Sequence, residues 1–127
     1  FPIHPRTRNV FDSISMVLPE FIIVKPLSYL EFIYLIKNSS GIITDSGGIT
    51  EEASFLNIPC LTLRENTERP ETVEIGTNIL AGDNLEFISE KIEIMVQKKW
   101  KKGTVPKLWD GNTAKRIVKT LYEILEL

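Results

Sequence analysis

Short β-branched runs alternate with segments of helical spacing along this chain, and that alternation restricts its fold more than any other feature. The runs are Phe1–His4, Phe21–Lys25, Gly41–Asp45, Cys60–Leu63 and Asn78–Leu80. Short, continuous apolar strands separated by helices call for a parallel sheet buried on both faces. The chain is therefore read as α/β, a Rossmann-like and mostly parallel sheet with helices on both faces. Its 127 residues suit one such domain, spanning 1–127, and are too few for two ordinary ones. Phe1 opens inside an apolar segment with no initiator Met, so the domain is expected to be the truncated part of something longer.

Helix signals support the pattern. Ser28-Tyr29-Leu30-Glu31 has the capping-box form and predicts a helix start after Pro26. Tyr29, Leu30, Phe32, Ile33, Leu35 and Ile36 make that helix apolar nearly all round, which predicts burial. Asp83 or Asn84 caps a longer helix with a stripe at Leu85, Ile88, Ile92 and Met95, expected to end at Gly103 and Pro106. A last helix runs from about Asn112 with Ile117, Val118, Leu121, Ile124 and Leu125 on one face. Trp100 and Trp109 are expected to anchor it by packing. Lys98, Lys99, Lys101 and Lys102 read as the solvated end of a helix, where cations complement its dipole.

Composition excludes several functions. Fifteen Lys and Arg against 17 Asp and Glu give a formal charge of −2, without the basic excess of a nucleic-acid binder. No apolar stretch approaches the roughly 20 residues that span a bilayer, so no membrane partner is expected. One cysteine and one histidine make neither an intrachain disulfide nor a common zinc site, and no metal or cofactor is expected. No secretory leader is visible, and a cytoplasmic location is expected. Cys60, in an apolar strand after Pro59, reads as inert core.

The chemistry lies in Gly41-Ile42-Ile43-Thr44-Asp45-Ser46-Gly47-Gly48-Ile49-Thr50-Glu51-Glu52-Ala53, which reads strand, tight turn, helix. The first amides of a helix lack internal partners and attract anions, and glycine lets a ligand come close to the main chain. In parallel sheets such a turn lies beyond the carboxyl ends of the strands, where ligands bind. A phosphate is the natural guest, with Ser46 adding a hydroxyl. A helix start whose glycines only permit close packing is the alternative. Glu51 or Glu52 could accept hydrogen bonds from a ribose diol, or simply complement the helix dipole. The polar loop Arg64-Glu65-Asn66-Thr67-Glu68-Arg69-Pro70-Glu71 follows the next strand. An arginine there suits a phosphate or carboxylate, and a surface ion-pair network is the other reading. The Walker, Gly-x-Gly-x-x-Gly and Gly-x-Ser-x-Gly patterns are absent, which makes Ser46 a poor nucleophile candidate.

Thr44–Ala53, Asn57-Ile58-Pro59, Thr67-Glu68-Arg69-Pro70-Glu71 and Gly76-Thr77-Asn78 together resemble the non-hydrolysing UDP-N-acetylglucosamine 2-epimerases. Asp110-Gly111-Asn112-Thr113-Ala114 is similar to that family's C-terminal Asp-Gly-x-x-Ala helix. The resemblance implies the C-terminal, UDP-binding half of a two-domain, glycosyltransferase-B-type fold. It implies that Ser46, Gly47 and Gly48 hold the diphosphate and Glu52 the ribose hydroxyls. Leu27 (through its backbone) and Phe32 would lie beside the uracil, with core packing as the other reading of Phe32. Arg69 would face the nucleotide–sugar. His4 is similar to a histidine that lies near a second, regulatory substrate molecule in some members; a hydrogen-bonded structural role is the alternative. The resemblance places the catalytic carboxylates and a lysine in the missing N-terminal domain, so no catalytic residue is assigned here. It implies interconversion of UDP-GlcNAc and UDP-ManNAc for cell-surface polysaccharide biosynthesis, and a homodimer. A B-type glycosyltransferase, a hydrolysing epimerase and a non-catalytic nucleotide-sugar sensor remain open alternatives.

Overall fold

The computed structural model describes residues 1–14 and 21–126. The chain divides into two compact units, Phe1–Leu35 and the remainder from Ile36 onward. Among the described residues no helix is long and apolar enough to cross a membrane.

In the first unit, Pro2 and Val24 form a single parallel bridge, with Ile3 N–H donating to the Val24 carbonyl at 3.0 Å and Val24 N–H to that of Phe1 at 3.1 Å. The expected strands Phe1–His4 and Phe21–Lys25 reduce to this one bridge. Pro2, Pro5 and Pro26 offer no N–H, so neither segment can extend a ladder far. Helix α1 (Pro5–Ser13) follows, capped by His4 and opened by Pro5 at its first position.

Helix α2 (Tyr29–Lys37) starts where its capping signal predicts, with Glu31 accepting from Ser28 N–H at 2.9 Å and from the Ser28 hydroxyl at 2.6 Å. Its expected burial is not found. Only Ile36 is buried, Phe32 and Ile33 are half-buried, and Leu30 is 77% exposed. An apolar sequence sets what a helix face would favour, but burial also requires a partner surface, which the described residues do not give most of this face.

The second unit is built on three parallel strands in the order β1 (Ile42–Thr44), β2 (Cys60–Thr62), β3 (Asn78–Leu80). Ile42, Cys60 and Asn78 lie in register across them. Helices α3 (Gly47–Phe55) and α4 (Pro70–Glu74) make the two crossovers. Alternation along β2 separates two cores. Leu61 points to one side, into a cluster with Ala81, Met95 and Trp100 that Phe87, Ile88 and Ile92 of α5 (Leu85–Val96) help cover. Cys60 and Thr62 point to the other, where a buried polar chain runs. The Thr62 hydroxyl donates to Asn78 Oδ1 at 2.6 Å, Asn78 Nδ2 donates to Thr72 Oγ1 at 3.1 Å, and Thr72 Oγ1 donates to the Arg69 carbonyl at 2.8 Å. Thr62, Thr72 and Asn78 are all buried, so each link satisfies a group that would be costly alone.

Asn84 caps α5 as expected, its side chain accepting from Phe87 N–H at 3.0 Å. The helix ends at Val96, well before Gly103. Lys98 takes a left-handed conformation at φ 57°, and the Lys98 and Lys99 amides close a Schellman turn onto Met95 and Ile94. Gly103 serves instead as a close-packed position, where an added Cβ would lie 2.7 Å from the Gly76 carbonyl carbon. Trp100 is a core residue, donating to the Thr77 carbonyl at 2.7 Å, rather than an anchor for the terminal helix. That helix, α6 (Thr113–Leu125), carries its predicted apolar face but buries none of it among the described residues. Asp110 and Arg116 fasten its start through a 2.9 Å ion pair, which holds the Asp110 carboxyl well below its ordinary range.

Candidate functional site

The site is built at the carboxyl end of the sheet. β1 ends at Thr44, Asp45 and Ser46 turn the chain, and α3 begins at Gly47. The Thr44 hydroxyl accepts from Ser46 N–H at 3.1 Å, which sets the turn. Ser46 occupies the N-cap position in extended conformation (φ −85°, ψ 125°), yet its side chain makes no capping hydrogen bond. A serine at this position ordinarily caps. Here the exposed hydroxyl and the first amides of the nine-residue α3 are left for another acceptor. The space around Gly48 is open: among the described residues, apart from its chain neighbours and the helix backbone, no atom lies within 4 Å of where a Cβ would stand.

β2 and β3 deliver their following loops to the same edge. Leu63 N–H donates to the Thr44 carbonyl at 2.8 Å, extending the β1–β2 ladder one step past the strands. Ala81 N–H donates to the Thr62 carbonyl at 2.9 Å, and Gly82 N–H to that of Arg64 at 3.1 Å. Arg64 thus leaves the central strand beside the Ser46–Gly47 turn, and its Nη1 lies 3.8 Å from where a Gly47 Cβ would be.

Arg69 is the N-cap residue of α4, preceded by a small turn in which the Thr67 hydroxyl accepts from Arg69 N–H at 3.1 Å. Its Nε donates to Glu51 on α3, and that hydrogen bond raises the guanidinium pKa further. The buried chain through Thr72 fixes the Arg69 backbone from below. The expected polar loop therefore holds an ion pair, as its blander reading had it, and the pair ties this loop to α3. Both partners are substantially exposed, so solvent screens the pair and it adds little to stability. Glu52, half-buried on the second turn of α3, has no side-chain partner among the described residues. The residue pattern alone leaves Glu51 and Glu52 open and the resemblance points to Glu52; the pairing of Glu51 with Arg69 leaves Glu52 the unpaired one among the described residues.

Ser46, Gly47, Gly48, Glu52 and Arg69 thus come together around the start of α3. Leu27 and Phe32, both half-buried, and the exposed His4 belong to the first unit. His4 caps α1, its Nδ1 accepting from Arg6 N–H at 3.2 Å. Cys60 is fully buried, and burial pushes its thiol up to about 11, as suits an inert core residue. Among the described residues no cluster of His, Cys, Asp or Glu could hold a metal ion. The element that sequence reading missed is the buried Thr62–Asn78–Thr72 chain. Its only trace in the sequence is a pair of polar residues at strand positions, Thr62 and Asn78, with Thr72 on α4.

A helix N-terminus open to an anion, with Arg64 and Arg69 nearby and Glu52 unpaired among the described residues, is an arrangement suited to a phosphate at the carboxyl edge of an α/β sheet. The chain belongs to the UDP-N-acetylglucosamine 2-epimerase family, whose model matches residues 1–122. It is 48% identical over 129 residues to the UDP-N-acetylglucosamine 2-epimerase of Methanocaldococcus jannaschii, covering 95% of this chain and 34% of the relative. The crystal structure of the UDP-GlcNAc 2-epimerase of that organism in complex with UDP-GlcNAc and UDP matches with a TM-score of 0.77 and 47% identity, over 97% of this chain and 35% of the other. The UDP-2,3-diacetamido-2,3-dideoxy-D-glucuronate 2-epimerase of Pseudomonas aeruginosa is 40% identical over 97 residues, 76% of this chain and 27% of the relative. The chain thus spans about a third of the length of the curated relatives it matches most fully.

Proposed function

We propose that this chain is the UDP-binding part of a UDP-N-acetylglucosamine 2-epimerase that interconverts UDP-GlcNAc and UDP-ManNAc. The observation that carries the reading is the uncapped start of α3, where Ser46 stands at the N-cap with its hydroxyl uncommitted beside two glycines. Family membership and a relative solved with UDP-GlcNAc and UDP support it. In this reading the Ser46 hydroxyl and the Gly47 and Gly48 amides hold the diphosphate. Glu52 accepts from the ribose hydroxyls, the Leu27 backbone and Phe32 flank the uracil, and Arg69 faces the nucleotide–sugar. His4 contributes through a regulatory substrate molecule, over and above its capping role.

In the reaction, a base removes the C2 proton as the C1–oxygen bond breaks. The electron pair leaves on the diphosphate, and a 2-acetamidoglucal remains. The proton then returns to C2 on the opposite face, and the UDP oxygen re-forms the bond to C1. The start of α3 stabilises charge developing on the leaving diphosphate. The helix dipole contributes about 0.3–1 kcal/mol, rising to about 2 when partly buried. Losing one preorganised donor to an oxyanion typically costs about 2.7–4 kcal/mol. No residue of this chain is assigned the proton transfers; the reading gives these to a second domain across the cleft of a glycosyltransferase-B-type enzyme. A relative 40% identical over 97 residues is named for a different UDP-hexose, a diacetamido-glucuronate. Supply of cell-surface polysaccharide synthesis, a homodimer and a cytoplasmic location complete the proposal.

The test is a melting experiment with UDP. UDP is expected to raise the melting temperature, and Ser46→Ala together with Glu52→Ala to abolish the rise. Folded protein that shows no shift at saturating UDP refutes the reading.

A further inference from the structure

The structure assigns to Arg64, rather than Arg69 alone, the counter-charge for the diphosphate. We infer that the Arg64 guanidinium closes over the anion held at the start of α3. This inference deepens the UDP reading and rests on it.

Three observations converge. The first is position. Arg64 is two residues past central strand β2, and its backbone is gripped from both sides. Leu63 N–H binds the Thr44 carbonyl on the β1 side, and the Arg64 carbonyl accepts from Gly82 N–H on the β3 side. This puts Arg64 at the middle of the carboxyl edge, where ligands of parallel sheets bind. The second is proximity. Among the described residues, its Nη1 is the contact found 3.8 Å from a Cβ built on Gly47, apart from the turn's own neighbours and the helix backbone, so the guanidinium lies beside the start of α3. The third is availability. The Arg64 side chain has no hydrogen bond or ion pair among the described residues, although the residue is half-buried. Arg69, by contrast, is engaged by Glu51. A partly desolvated guanidinium, unpaired among the described residues and beside a helix start whose amides are open, is incomplete as it stands, and a diphosphate bound there satisfies both. The planar fork of arginine engages two oxygens of one phosphate through parallel N–H bonds, a fixed geometry that a lysine ammonium lacks.

The experiment measures the affinity of the protein for UDP and for uridine by calorimetry, with ligand-observed NMR for weak binding. Arg64→Gln is expected to weaken UDP by roughly tenfold to a hundredfold, the range for losing a charged hydrogen-bonding partner. Its affinity for uridine stays at the wild-type level, and so does its melting temperature without ligand, because the side chain supports nothing in the free fold. Arg64→Lys recovers part of the loss. A separation of UDP from uridine is something a purely structural role would not produce. The inference is overturned if Arg64→Gln binds UDP as wild type does, or loses UDP and uridine equally. If UDP still binds wild type and is lost in the Ser46→Ala, Glu52→Ala variant but kept in Arg64→Gln, this inference alone fails. If wild type does not bind UDP, the parent reading fails with it.

Discussion

Asn78→Ala probes the buried chain that joins the sheet to the candidate site. Asn78 is fully buried, accepts from the Thr62 hydroxyl at 2.6 Å and donates to Thr72 Oγ1 at 3.1 Å. Truncation removes both bonds and leaves the Thr62 hydroxyl, itself 1% exposed, without its acceptor. Two net hydrogen bonds at about 1 kcal/mol each, with a stranded donor on top, predict a loss of about 2–4 kcal/mol. Thr72 also holds the Arg69 carbonyl at 2.8 Å, so the loop carrying Arg69 loosens with it. Urea unfolding followed by tryptophan fluorescence is the assay, because Trp100 bonds the Thr77 carbonyl next to the altered residue. Thr62→Val removes the donor at the other end, and the pair forms a double-mutant cycle. The two losses should couple by about 0.5 kcal/mol or more, since the residues share one bond. An Asn78→Ala protein within about 0.5 kcal/mol of wild type, the behaviour of a surface substitution, would refute the argument.

Two further perturbations follow from single side chains. Burial raises the Cys60 thiol from an ordinary 9.0 to about 11. Above pH 9 the unfolded chain releases this proton while the folded chain keeps it, so stability falls between pH 9 and about 11. Cys60→Ala should lack this component of the alkaline slope, and the native thiol should resist alkylation at pH 8 until denaturant is added. Ser46→Ala should change stability by less than about 0.5 kcal/mol, against the roughly 1 kcal/mol typical of a lost N-cap, because its hydroxyl makes no capping bond. Equilibrium unfolding checks this, and a full cap-sized loss would mean that the hydroxyl serves the helix rather than a ligand.

The parts of the fold that could be read from sequence are those fixed by local chemistry. β3 spans Asn78–Leu80 as read, Asn84 caps α5, and Ser28 and Glu31 begin α2. Each depends on residues within one turn or one strand of each other. The first unit's expected strands failed for a local reason, the prolines Pro2, Pro5 and Pro26, whereas the other misreadings required a partner distant in sequence. Apolar residues around α2 predicted burial, but whether a second surface covers them is not written in the helix. Gly103 looked like a helix stop. Its need for glycine comes from Gly76 and Thr77, which lie against it across the fold. Trp100 looked like a flanking anchor and proved to belong with Leu61 and Met95. The candidate site followed the same rule. Ser46, Gly47 and Gly48 were legible as one contiguous turn. The resemblance singles out Glu52, but the physical difference between it and Glu51 lies in Arg69, eighteen positions beyond Glu51. The approach of Arg64 depended on strand pairing, which no local pattern encodes.

The central claim is that the start of α3 receives the diphosphate of a UDP-sugar. Backbone amide chemical shifts during a UDP titration report on it most directly. The account predicts that the largest changes fall on Gly47, Gly48 and their immediate neighbours in α3, with smaller ones at Arg64 and Gly82. Binding of UDP that leaves the Gly47 and Gly48 amides unmoved would contradict it.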